Sequence, residues 1–88
     1  MAHFNIYFNP SAEKELRRLP KDIMQRAMEK IEDLGSEPFP SQSIRISGAE
    51  RLYRLRVGDY RIVYEVDVKK EVVTIHYVRH RSVVYRDL

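Results

Sequence analysis

Two residues, Gly58 and Asp59, separate one run of strand-forming residues, Arg51 to Val57, from a second, Tyr60 to Asp67, and no other feature restricts the fold of this chain so tightly. A loop that short has no room for the crossover helix that parallel neighbours need, so the two runs must pair antiparallel. Glycine at the first loop position suits a type II′ turn, and such a turn fixes the register as well as the direction. Val57 then faces Tyr60, with Leu55 facing Ile62 and Tyr53 facing Tyr64 on what is expected to be the core side. On the other side Arg56 faces Arg61, and Arg54 faces Val63. A third run, Glu71 to Arg79, follows an equally short connection at Val68-Lys69-Lys70, which makes the C-terminal half an antiparallel meander.

The N-terminal half reads differently. His3 to Phe8 alternates and is rich in Phe, Ile and Tyr, as a first strand would be. Asn9-Pro10 pairs a strong N-cap with a residue preorganised for the first helical turn, so a helix is expected through Ser11 to Leu19, stopped by Pro20. A second helix from about Lys21 carries Ile23, Met24, Ala27, Met28, Ile31 and Leu34 at three-to-four-residue spacing, with Gly35 as its C-cap. Pro38 and Pro40 keep Ser36 to Ser43 a loop, and a short strand is expected at Ile44 to Ile46. Strand, two-helix hairpin, meander is an α+β order, with one sheet face packed on the helices and the other free. With 88 residues there is material for one core, so residues 1–88 are expected to form a single domain.

Composition narrows the chemistry. The absence of cysteine removes disulfides, thiolate metal sites and thiol nucleophiles, and suits a reducing compartment. No apolar run approaches the roughly 20 residues of a membrane helix, and Met1 to Asn5 lacks the start of an export signal, so no membrane and a cytoplasmic location are expected. The formal charge of +3 is uneven: residues 44–88 hold ten Lys/Arg against six Asp/Glu, and eight of the ten are arginine. Arginine is the side chain best shaped to grip phosphate through two parallel hydrogen bonds.

Arg56 directly opposite Arg61, with Arg54 on the diagonal, crowds like charges where stability alone would favour mixed pairs. One reading is an anion site, relieved by a bound phosphate. The other is a solvated charged face that discourages edge pairing, partly neutralised by Glu65. Downstream lie Arg79, His80, Arg81, Tyr85 and Arg86, a basic run with one aromatic placed to stack on a base or, alternatively, to plug the core. Register alone leaves open which of Arg79 and its neighbours faces the free side. His3 and His76 match no metal-site spacing, and no metal or cofactor is expected. His80 is kept as a candidate for substrate binding or proton transfer.

The segment Leu52-Tyr53-Arg54-Leu55-Arg56-Val57-Gly58-Asp59-Tyr60-Arg61-Ile62-Val63-Tyr64 resembles the RelE toxin family within the RelE/ParE superfamily: a basic strand, a tight turn, then Tyr-Arg-aliphatic-aliphatic-Tyr. The Pro-Ser-Ala-Glu-Lys-Glu-Leu helix start, the Leu-Pro between helices and the ending Val78-Arg79-His80-Arg81-Ser82-Val83-Val84-Tyr85 extend the likeness over essentially the whole chain. The resemblance implies a microbial-RNase-like α+β fold and the toxin of a type II toxin-antitoxin pair. Such a toxin enters the ribosomal A site, cuts messenger RNA there without a metal, and is held by a RelB-like antitoxin.

Carried over residue by residue, the resemblance gives catalytic roles to Arg54, Arg56, Arg61, Arg79, Arg81 and Tyr85. Arg54, Arg56, His80 and Tyr85 are the residues expected to contact substrate. Well-known members carry lysine at both pre-turn positions, one of them proposed as general base. Here both are arginine, which stays protonated and so clamps phosphate better than it takes a proton. The general base is left unassigned, with His80, Tyr85 or the ribosome itself as candidates. Arg61→Ala is expected to abolish cleavage and leave the fold intact. Two further readings are a ParE-like inhibitor of DNA gyrase and an RNA-binding module that does not cut.

Overall fold

A computed structural model describes residues 3–48 and 50–83. Its elements follow the expected order: β1 (Asn5–Phe8), α1 (Pro10–Arg17), α2 (Lys21–Asp33), β2 (Ile44–Arg45), β3 (Leu52–Val57), β4 (Tyr60–Asp67) and β5 (Val72–His80). The strands form a single sheet in the order β1-β5-β4-β3-β2. β2 to β5 are antiparallel neighbours, while β1 lies parallel to β5 with Asn5 opposite Val72 and Phe8 opposite Ile75.

Local chemistry explains the boundaries. Asn9 sits at the N-cap of α1 with extended backbone (ψ 147) and no side-chain cap bond. Its carbonyl accepts from Glu13 N at 3.1 Å, and its own N–H donates to Ile75 O at 3.0 Å, so this residue closes the helix start and the β1–β5 ladder together. Pro20 ends one helix and caps the next, its carbonyl accepting from Met24 N at 2.8 Å. The apolar stripe of α2 behaves as its spacing requires: Ala27, Ile31 and Leu34 are buried, with Ile23, Met24 and Met28 packed at their margin.

Gly35 departs from expectation. The C-cap of α2 is Leu34 in right-handed conformation, and Gly35 is not among the glycines with positive φ. The reason for glycine is contact: a Cβ there would lie 2.9 Å from the imidazole Cε1 of His3, while Gly35 O accepts from Phe4 N at 2.7 Å. Gly58 does use its freedom. It has φ 57, and Asp59 does not share the positive φ, as a type II′ turn requires.

The core lies between the helices and one sheet face, where Leu55, Val57, Ile62, Tyr64, Ile75 and Val78 meet α1 on β5 and α2 on β3. Each fully buried residue of the Ile31 or Ile62 kind is worth about 1.5–3 kcal/mol of transfer free energy. The opposite face is less bare than alternation suggests. Val63 and Arg61 point there and are nonetheless buried, because the long stems and rings flanking them in register, Arg54 and Arg56 on β3 and Tyr77 and Arg79 on β5, lie over them. Among the described residues no helix is long and apolar enough to cross a membrane.

Candidate functional site

The β3–β4 hairpin has the register the turn dictates, from Val57 opposite Tyr60 through Arg56 opposite Arg61 to Tyr53 opposite Tyr64. Arg54, Arg56 and Arg61 therefore converge, and with Gln42 and Ile44 they line a cleft of about 170 Å3. Ile44 arrives because β2 pairs with β3 at Ile44–Arg54.

The turn also supplies an anchor for the arginines. Gly58 O accepts from Arg56 Nε at 3.3 Å and from Arg61 Nη1 at 3.1 Å, and Arg61 Nη1 also reaches Tyr60 O at 2.9 Å. One carbonyl thus gathers two guanidinium groups, offsetting part of their repulsion and ordering their donors before any anion arrives. Arg61 is 6% exposed, whereas Arg56 is exposed. This changes the expectation for Arg61→Ala: the side chain is a structural element of the turn as well as a cation, so its removal costs stability.

A β-bulge decides the next part. Tyr64 pairs with Ile75 but Val63 pairs with Tyr77, leaving His76 as the extra residue. Counting back from the Val68–Glu71 turn without this bulge would set Arg79 opposite Tyr60 on the core side. With it, Arg79 is opposite Arg61, and Arg56, Arg61 and Arg79 form one row across three strands. The guanidinium of Arg79 lies 4.3 Å from the Tyr77 ring centroid, and its Nε donates to Glu15 Oε2 of α1 at 2.6 Å. The bulged His76 meets Glu65 at 3.1 Å, so the carboxylate first expected to neutralise the arginines is engaged by an imidazole.

The same bulge sends His80 to the helical side. It pairs with Tyr60, edge to face at 5.5 Å, and its Nδ1 accepts from Ser82 N at 3.3 Å, away from the Arg54–Arg56–Arg61 cleft. Arg81 extends the hairpin through its N–H, which donates to Asp59 O at 2.8 Å, and is exposed. Tyr85 and Arg86 lie outside the described residues. Sequence reasoning missed Glu15, Tyr77 and Gln42. Glu15 and Gln42 carry no local signal, since only the tertiary fold brings α1 and the loop before β2 to the sheet.

Chemically the cleft has the donors to grip a phosphate. Its lining holds permanent cations and one amide, and none of these groups takes a proton near neutrality. Among the described residues no three His, Asp or Glu side chains converge as a metal cage needs. Beneath the sheet, burial pushes the pKa of the Tyr64 hydroxyl up, opposed by a hydrogen bond with Ser43.

Residues 6–85 match the family model described as the ParE toxin of the type II toxin-antitoxin system parDE. The chain is 28% identical over 87 residues to the putative toxin RelE1 of Methanocaldococcus jannaschii, covering 96% of this chain and 97% of that one. It is 30% identical over 84 residues to toxin RelE of Mycobacterium tuberculosis, covering 94% and 87%. Among solved structures, the archaeal RelE–RelB complex from Pyrococcus horikoshii superposes with a TM-score of 0.77 at 31% identity, over 92% of this chain and 97% of that one.

Proposed function

The chain belongs to the ParE toxin family of type II toxin-antitoxin systems, of the RelE/ParE fold, and from that premise we propose that it is a RelE-type, ribosome-dependent messenger-RNA endonuclease, acting in the cytoplasm as one domain over residues 1–88. The observation that carries this reading is the arginine cleft: Arg56 opposed to Arg61 on a shared carbonyl, Arg54 beside them, and Arg79 next in the row.

In the proposed reaction a ribose 2′-hydroxyl attacks the adjacent phosphorus and the 5′-oxygen leaves, giving a 2′,3′-cyclic phosphate and a 5′-hydroxyl end. Arg54, Arg56 and Arg61 hold the phosphoryl oxygens, where charge accumulates in the transition state, and the turn already orients the donors of Arg56 and Arg61. Arg79 or Arg81 assists the leaving 5′-oxygen by stabilising its charge until it takes a proton from water, and Tyr85 stacks on the base. The cleft itself offers no proton acceptor, so the attacking hydroxyl gives its proton to a group outside it, Tyr85 or the ribosome. A RelB-like antitoxin is the proposed partner, as in the RelE–RelB complex of the archaeal relative, with an acidic or amphipathic segment that folds as it binds.

Primer extension on ribosome-bound message with purified protein tests the proposal. Wild-type protein is expected to cut within the A site, and Arg56→Ala, at an exposed position, to lower the rate by about 100-fold, the order expected for one oriented charged donor at a developing oxyanion. Full activity in Arg56→Ala removes the cleft from the mechanism. The family description, which names ParE, favours a second reading, inhibition of DNA gyrase. Arrest of supercoiling with translation intact, measured in the same extract, selects that reading instead.

A further inference from the structure

Glu15 is the one carboxylate of α1 that reaches the sheet in two directions at once. Its Oε1 accepts the backbone N–H of Val78 at 3.2 Å, and its Oε2 accepts Arg79 Nε at 2.6 Å. The first bond exists because β1 stops pairing with β5 at Phe8–Ile75, so the outward N–H of Val78, farther along β5, has lost its strand partner. A carboxylate pinned by the backbone is a fixed point, and what it fixes is a guanidinium in the same cross-strand row as Arg61 and Arg56. The Tyr77 ring closes the third side at 4.3 Å. Both side chains of the pair are about three-quarters shielded or somewhat less, 23% exposed for Glu15 and 32% for Arg79, so solvent screens the contact less than it would a surface pair.

We infer that Glu15 is a positioning residue: it holds Arg79 at the sheet edge in the orientation from which its guanidinium meets an RNA phosphate. The inference rests on the proposed RNA reading of the cleft and extends it to a residue on a helix that does not line it. Without the tether, Arg79 sits beside Arg61 with like charge and has more side-chain rotamer freedom to lose on each encounter, a cost the fixed carboxylate has already met through the fold.

Glu15→Gln separates the tether from strand support. The amide oxygen still accepts from Val78 N–H, while the amide nitrogen, a donor, now faces the Arg79 donor. Two readouts are taken in wild-type and Arg79→Ala backgrounds: single-turnover cleavage of ribosome-bound message, and anisotropy of a short 2′-O-methyl RNA that binds but has no attacking hydroxyl. Glu15→Gln is expected to lower cleavage or RNA affinity about tenfold in the wild-type background, the order for one charge-assisted hydrogen bond. In the Arg79→Ala background it is expected to change nothing, with thermal midpoints of wild type and Glu15→Gln matching. Wild-type function in Glu15→Gln, or a loss that persists undiminished beside Arg79→Ala, overturns the inference. Should wild-type protein bind RNA and not cut, the nuclease reading fails and Glu15 is judged by binding alone. Should it do neither, both fall.

Discussion

Arg56 and Arg61 face each other across one hairpin, yet they do different work. Arg61 is 6% exposed and serves two backbone carbonyls, while Arg56 is exposed and bonded only weakly to one of them at 3.3 Å. Arg61→Ala therefore strips Tyr60 O and Gly58 O of a charged donor and empties a buried position between Arg56 and Arg79, for an expected loss of about 2 kcal/mol, or a fall in Tm on the order of 10 °C for a domain this small. Arg56→Ala is expected to stay within about 0.5 kcal/mol of wild type. Urea unfolding of both variants checks this, and equal stabilities would mean that the Gly58 anchor is unimportant. Tyr64 makes a prediction in pH. Its hydroxyl donates to Pro38 O at 3.1 Å and burial raises its pKa above 10.0. The folded state thus favours the neutral phenol, so this contribution is whole below pH 10.0 and is lost as pH climbs from there through the higher folded value. Wild-type stability should fall over that alkaline window more steeply than that of Tyr64→Phe, and parallel curves would contradict the assignment.

At the scale of elements, the hairpin turn governs both fold and cleft. Gly58 has φ 57, and a Cβ there would meet Ile23 Cδ1 at 3.4 Å. Gly58→Ala is expected to cost about 1–2 kcal/mol through the left-handed backbone alone, and to lower activity further by shifting the carbonyl that gathers Arg56 and Arg61. Circular dichroism melts with primer extension measure the two effects. If Gly58→Ala matches wild type in both, the turn is not the organiser. The turn is also why so much was legible in the sequence: a two-residue loop fixes every pair from Val57–Tyr60 to Leu52–Glu65, and the structure has that register throughout. Legibility stops at the bulge between Val63 and Tyr64, since an extra residue leaves no mark in an apolar alternation and reverses the face of Tyr77, Arg79 and His80. The parallel partner of β1 was equally hidden, because pairing between segments more than sixty residues apart is set by the packing of α1 rather than by any local pattern. The contact of Glu15 with β5 leaves no local signal for the same reason.

Across the whole molecule the charges are sorted. Residues 1–43, which supply both helices, carry six Lys/Arg against seven Asp/Glu, and the meander half carries ten against six. The helices cover one sheet face and the arginine row lies on the other, so a polyanion approaching from solvent meets a cationic surface backed by a near-neutral one. If Arg54, Arg56 and Arg61 each displace about one condensed counterion where single-stranded RNA seats its scissile phosphate, binding should weaken with salt with a log–log slope of about −2. Arg56→Ala should make that slope shallower by about 0.7. Lys69→Ala, in the turn at the far end of β4, carries the same charge change away from the cleft and is expected to leave the slope alone. Anisotropy titrations of the 2′-O-methyl RNA over a range of salt concentrations decide it. Equal changes in the two variants would mean that net charge, and not the placement of three guanidinium groups in one cleft, draws the RNA to this sheet.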